Sequence, residues 1–284
     1  MNLFFLGDLL YDYDEVREDI KSIGEYIQDR NLKTIVNLEA SLKSSTPIDK
    51  WINLYNSKKV LEVLNLLNVV AVNLANNHIM DWGEEGLSNL LSALEEEGVA
   101  HFGAGLTLEE ALEPAIIRVG SNKIGFLGFG WKEEMCVSAN VGKPGVAPLK
   151  EGKMMKAIEK VEPRVDKLIT NIHWGYGYEK YPLPIHRKLA HGLIEKGVDL
   201  ILGHHSHLIQ ARENYKGKWL YYGLGNFYFG RMRKFFPEKF AEKREDISED
   251  TRNGLGIVVD KDLKRKDEVI VYFDNEKSFL KKDF

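Results

Sequence analysis

The chain has one cysteine, Cys136, among its 284 residues. An intrachain disulfide is therefore impossible, and no CxxC or Cys/His finger spacing occurs, so disulfide-stapled and zinc-finger scaffolds are excluded. Cys136 reads as a buried bystander thiol. Long apolar runs are missing as well. The start, Met1-Asn2-Leu3-Phe4-Phe5-Leu6-Gly7-Asp8, lacks a charged n-region, and its apolar stretch is too short for a signal peptide or a membrane span. The expectation is a cytoplasmic protein with no membrane segment. Excess positive charge is also lacking: Lys+Arg 39 against Asp+Glu 43 gives a net charge of -4, which offers nucleic acid no global attraction. No repeat, low-complexity tract or linker divides the sequence, so one domain over residues 1–284 is expected.

What is present is an alternation of short apolar runs with longer segments of helical period, the pattern of an α/β fold. Strands are expected at Leu3–Leu6, Thr34–Asn37, Val69–Asn73, Ala115–Val119, Lys123–Phe129, Leu168–Ile172, Leu200–Leu202, Trp219–Tyr222, Ile257–Val259 and Val269–Phe273. Gly120-Ser121-Asn122 reads as a hairpin turn. Helical stripes run through Val16, Ile20, Ile23 and Ile27, through Leu87, Leu90, Leu91 and Leu94, and through Leu189, Leu193 and Ile194. Gly98 and Gly197 close the last two as left-handed caps. The stretch 231–252 differs in kind, with seven basic and six acidic residues in 22 positions. It shows no strand pattern and reads either as a solvated helical excursion or as a lid over the site.

The polar residues fall at particular places. Asp8, Glu39, Asn77-His78, His173 and His205/His207 each lie just beyond a different expected strand. In α/β sheets ligands bind outside the carboxyl ends of strands, so five segments would converge on one rim. Singly, each has a plain alternative: Asp8 a helix cap, Glu39 a loop carboxylate, Asn77 a turn residue, His173 a structural histidine. Three imidazoles in Gly203-His204-His205-Ser206-His207, directly after an apolar strand, are harder to explain by packing. Imidazole, carboxylate and amide oxygen without thiolate suit one or two divalent ions of the Mn, Fe or Zn type. Such ions activate water, which points to hydrolysis.

Asn37-Leu38-Glu39, Asn76-Asn77-His78-Ile79-Met80-Asp81-Trp82-Gly83, His173-Trp174-Gly175 with Tyr178 and Pro182, Gly203–His207 and Gly223-Leu224-Gly225-Asn226-Phe227 closely resemble the CapA family of capsule synthesis, poly-γ-glutamate type. That family is a branch of the calcineurin-like metallophosphoesterases. The resemblance implies a four-layer α/β/β/α sandwich of two mixed sheets with metals at one rim. It further implies a first metal held by Asp8, Glu39 and His207, and a second held by Glu39, Asn77, His173 and His205. His78 would face the substrate as general acid or charge stabiliser. Asp81 would orient its imidazole, or else serve the N-terminus of the following helix. Leu10 stands where the wider superfamily's DxH histidine belongs, and Glu39 where a bridging Asp is expected.

Trp82, Trp174, Tyr176, Tyr178 and Tyr181 are candidates to wall the cleft, and Glu179 and Asn226 to contact substrate. Arg231 and Arg233 are candidates for binding an anionic small molecule or polymer. The expected function is a metal-dependent hydrolase, with phosphoester cleavage as the expected chemistry. Its alternatives are an accessory role in making, trimming or exporting poly-γ-glutamate, and a metal-organised binding module without turnover. Oligomeric state leaves no sequence signature.

Overall fold

Leu3 and Phe5 project from one face of the first strand and Phe4 and Leu6 from the other, and this alternation sorts the molecule into layers. The structure is a computed structural model describing residues 1–229, 232–236, 241–245, 249–273 and 278–281, with 232–236 and 241–245 described through their backbone. One eight-stranded sheet runs Ser278–Lys281, Arg265–Phe273, Asn253–Val259, Asn2–Leu10, Leu32–Leu38, Val69–Asn73, Ala100–Phe102, and Asn226–Phe229 also pairs with Asn2–Leu10. The strands Asn2–Leu10, Leu32–Leu38, Val69–Asn73 and Ala100–Phe102 are parallel. A six-stranded sheet runs Arg212–Tyr215, Lys218–Tyr221, Leu200–His204, Lys167–His173, Asn122–Gly130, Ala115–Val119.

Leu3, Phe5, Ile35 and Phe102 of the first sheet meet Phe126, Ile169, Leu200 and Leu202 of the second in one buried cluster. The outer face of the first sheet packs Phe4, Leu6 and Val36 on Ile20, Ile23, Val60, Leu87 and Leu90 of three helices. That of the second packs Leu127, Phe129 and Ile201 on Met154, Ile158, Leu193 and Ile194 of two more. Helix, sheet, sheet and helix are thus the four layers. Each large apolar side chain so enclosed contributes about 1.5–3 kcal/mol.

The expected strands all form, several running further than their apolar runs. The first continues through Asp8 to Leu10, because Gly7 lets the neighbouring backbone approach. The Asp8 amide donates to Gly225 O at 3.0 Å, and a Cβ on Gly7 would lie 1.9 Å from that oxygen. Asp8 is therefore a strand residue and not a helix cap. Gly98 (φ 68) and Gly197 (φ 102) adopt the left-handed conformation that ends their helices. Three helices were not anticipated, Lys59–Leu66, Leu108–Leu112 and Glu151–Val161, although Met154, Ala157, Ile158 and Val161 keep a helical stripe.

The charged stretch corrects the helical expectation. Met232–Phe236 and Ala241–Glu245 pair as an antiparallel hairpin, and Glu249–Thr251 forms a short 3-10 turn. A two-stranded ladder is set by backbone pairing and requires no apolar face, so its strands leave no alternating signature. Arg231 lies outside the described residues, as does the side chain of Arg233. No helix among the described residues is long and apolar enough to cross a membrane.

Candidate metal centre

Parallel register sets Asp8, Asn37 and Asn73 side by side on three strands. Asn73 Nδ2 donates to Asn37 Oδ1 at 2.7 Å, and Asn37 Nδ2 donates to Asp8 Oδ1 at 2.8 Å. His204 Nδ1 lies 3.2 Å from the same Asp8 oxygen. Asp8 Oδ2 turns to the histidine loop, 3.3 Å from the His205 amide nitrogen and 3.6 Å from His207 Nδ1. Burial works against the charge of Asp8, yet the hydrogen bond and charge of His204, with His207 and the His205 amide, hold its carboxyl below the usual range.

Asn76 joins the loops after the second and third parallel strands. Its Oδ1 accepts from the amides of Ala40 and His78 at 3.1 Å each, and its Nδ2 donates to Leu38 O at 2.9 Å. The two loops deliver Glu39 and Asn77. Four non-glycine residues here hold left-handed backbone: Ala40 (φ 68), Tyr178 (φ 66), His205 (φ 87) and His207 (φ 55). Strain concentrated this way persists only where the surroundings impose it.

Asp8, Glu39 and His173, all buried, present ligand atoms within 4.8 Å of one another. His173 Nε2 sits 2.9 Å from Asn77 Oδ1, and the His173 and His205 rings are 4.6 Å apart. Both carboxylate oxygens of Glu39, and the Nδ1 atoms of His173 and His205, are buried without a hydrogen-bond partner. Burial, and next the charge of Asp8, push Glu39 well above the ordinary carboxylate value, while burial and the surrounding imidazoles push His173 well below the ordinary histidine value. Buried orphan acceptors are costly unless something electropositive meets them. A divalent cation does so, and neutral imidazole, carboxylate and amide oxygen are its donors, so the residues fit the group.

His207 Nδ1 meets Asn226 Oδ1 at 2.8 Å, and Asn226 Nδ2 donates to Thr251 O at 3.0 Å. The Asn226 amide thus ties His207 to the turn at Thr251, and Asn226 itself is 1% exposed. Trp82 and Trp174, candidates for the cleft wall, are both 2% exposed and belong to the core. Tyr176, Tyr178 and Tyr181 are exposed, and the Tyr178 ring lies 5.5 Å from that of His207. Glu179 is an exposed residue on the same loop.

His78 is apart from the ligand atoms. Its Nδ1 lies 2.6 Å from Asp81 Oδ2, and burial, with the charge of Lys50, holds its pKa down at about 4. Asp81 Oδ2 also accepts from the Leu54 amide at 2.8 Å. The aspartate thus grips the imidazole and the loop before it, a geometry that favours orientation over helix capping.

Sequence reasoning missed three neighbours. Glu134 Oε2 lies 3.1 Å from His205 Nε2, His204 touches Asp8, and Lys50 touches Asp81. Only His204, inside the imidazole cluster, carried a visible signal.

Behind the site, His186 is 3% exposed, stacked on Trp174 at 4.9 Å and edge-on to Trp131 at 4.7 Å. Burial lowers its pKa from 6.5 to about 4. The unfolded chain therefore takes up this proton first, so the contribution is fully present above pH 6.5 and is lost as pH falls towards about 4. The loss is on the order of 2 kcal/mol. Urea melts at about pH 7 and about pH 4.5 should show it in the wild type and a smaller drop in His186→Phe; equal drops would contradict it.

A family model described as bacterial capsule synthesis protein, PGA_cap, matches residues 2–231. The PGA biosynthesis protein CapA of Bacillus subtilis (strain 168) is 30% identical over 224 residues, covering 78% of this chain and 57% of that protein. The capsule biosynthesis protein CapA of Bacillus anthracis is 29% identical over 191 residues, covering 66% and 46%. A probable polyglutamine synthesis accessory protein of Mycobacterium tuberculosis is 30% identical over 209 residues, covering 69% and 53%. The chain spans about half the length of these curated relatives. Among solved structures, a 5'-nucleotidase precursor from Thermus thermophilus aligns with TM-score 0.51 at 14% identity, over 99% of this chain and 55% of that one. The NAD nucleotidase of Haemophilus influenzae aligns with TM-score 0.54 at 12% identity, over 100% and 54%. At these identities the likeness is one of fold, the metallophosphoesterase fold.

Proposed function

The chain belongs to the bacterial capsule synthesis protein family PGA_cap, and from that premise we propose that it is a metal-dependent hydrolase of an anionic substrate, with phosphoesterase-like chemistry. The observation that carries the proposal is the pair of unpartnered Glu39 oxygens, fully buried between Asp8 and the imidazoles. Asp8, Glu39 and His207 would hold one ion, and Glu39, Asn77, His173 and His205 a second. Bound there, Mn, Fe or Zn supplies Lewis acidity and a hydroxide nucleophile at neutral pH.

The protein's own part is orientation and proton handling. Asn226 keeps His207 Nδ1 occupied, leaving Nε2 for the cluster. Asp81, an acceptor at 2.6 Å, places a proton on His78 Nδ1, so Nε2 faces the substrate. The charge of an anionic substrate favours proton uptake at that Nε2, and the imidazolium then donates to the leaving oxygen. The names of the curated relatives favour a second reading, an accessory role in polymer synthesis, in which a bond cleaved to trim the polymer would be a γ-glutamyl amide.

Metal analysis of the purified protein, followed by a screen of phosphomonoesters, phosphodiesters and γ-glutamyl amides, tests both. Bound transition metal and hydrolysis of one class are expected. His78→Ala should keep the metal and lose about 10²-fold or more in turnover, whereas His205→Ala should lose metal and turnover together. A protein that binds no transition metal, and hydrolyses nothing when any is supplied, ends the proposal.

A further inference from the structure

Lys50 stands on the long loop between the second parallel strand and the helix Lys59–Leu66, in a stretch with no motif. Its side chain is only 10% exposed. Burying an ammonium on a four-carbon stem costs both solvation and rotamer freedom. Surface attraction therefore does not explain its place. The ammonium donates to the Asn77 carbonyl at 2.9 Å and to Asp81 Oδ1 at 2.7 Å, and it lies 3.2 Å from His78 Nδ1.

These contacts divide the labour of Asp81. Its Oδ1 is taken by Lys50, and its Oδ2 by the His78 ring and the Leu54 amide. A carboxylate held at both oxygens cannot turn about its terminal bond. The Asn77 carbonyl, held by the same ammonium, belongs to the peptide that joins the candidate ligand Asn77 to His78. One cation thus fixes both the backbone that carries the imidazole and the carboxylate that orients it.

We propose that Lys50 is a positioning residue of the site, which locks Asp81 and the Asn77–His78 peptide so that His78 holds a single tautomer, protonated at Nδ1 and open at Nε2. The inference rests on His78 as the group that meets the substrate. The Lys50 ammonium meets the Asn77 carbonyl, Asp81 Oδ1 and His78 Nδ1, none of them a candidate metal-ligand atom.

Nitrogen-15 spectra of the His78 ring, combined with turnover of a model phosphoester by the metal-loaded protein, provide the test. In the wild type a single Nδ1-protonated tautomer is expected. Lys50→Met should give two interconverting tautomers and lower kcat by about 10–100-fold, with KM and metal content within about threefold of wild type. Lys50→Arg, which keeps the buried charge, should recover most of the tautomer preference and about a tenth or more of the lost turnover. An unchanged ring spectrum in Lys50→Met overturns the proposal. So does a parallel fall of metal content, thermal stability and kcat in both variants, because that marks a merely structural lysine. Should the wild type hydrolyse no substrate, the hydrolase reading fails while the ring spectra still decide the role of Lys50.

Discussion

Glu39→Gln is expected to abolish divalent-metal binding and at the same time to stabilise the metal-free protein. Both oxygens of Glu39 are buried and unpartnered, and Asp8 repels their charge. Without a cation the fold thus carries a carboxylate that prefers its proton. Because the folded pKa is raised above the ordinary 4.5, this residue's contribution is fully present below that value and is lost as pH rises through the folded pKa. Removing the charge removes the penalty, a gain of about 1 kcal/mol or more near neutral pH. Saturating metal acts in the opposite direction: at about a thousandfold excess over Kd it stabilises the wild type by ~4 kcal/mol. Thermal melts with and without Mn or Zn should show that gain in the wild type and none in Glu39→Gln, whose turnover should fall to background. A variant that keeps the metal-dependent rise in Tm would remove Glu39 from the site.

Asp81→Ala is expected to cost about 3–5 kcal/mol, because it strands the buried Lys50 ammonium without its counter-charge. The aspartate side chain is fully buried, and besides Lys50 it serves the Leu54 amide and the His78 ring. Asp81→Asn keeps the shape and an acceptor for Leu54, so its cost should be smaller, and the difference between the two reports the ion pair. Urea unfolding with an unchanged m-value measures both. A loss under about 1 kcal/mol in the alanine variant would mean that Lys50 finds water or another acceptor, and that the buried pair does not hold in solution.

How much of this was legible beforehand follows a physical line. Apolar runs and helical stripes are local patterns, and they place ten of the strands of the two sheets because each buries a face at the period its backbone dictates, while the short strands Ala100–Phe102, Arg212–Tyr215, Asn226–Phe229 and Ser278–Lys281 go unannounced. The residues at the ends of those strands are legible for the same reason: Glu39, Asn77, His173 and His205 sit at or just beyond the ends of parallel strands. The apolar run alone ends before Asp8, whereas the strand runs on to Leu10. Gly7 is what carries the strand onward, and nothing in an apolar run announces a close approach by Gly225. Trp82 and Trp174 are candidates for cleft and core alike from sequence, because aromaticity does not tell buried from rimmed. The ladder Met232–Phe236 with Ala241–Glu245 reads from sequence only as a solvated helix or a lid, because charge density masks a pairing that only the partner strand defines.

The sequence by itself determined the α/β class through its periods, the family and the layered sandwich it implies through its motifs, and the donor types a divalent ion would accept through residue chemistry. Tertiary structure alone decided how those donors are held. Lys50 meets Asp81 across 31 positions, Asn37 meets Asp8 across 29, and Glu134 meets His205 across 71. Such contacts join loops and strands that only the packed sheets bring together, and a polar pair at long separation has no periodicity to betray it. For that reason the contact of Asn226 with His207 has no signal in the sequence, and Lys50, illegible there as well, sits against the histidine proposed to meet the substrate.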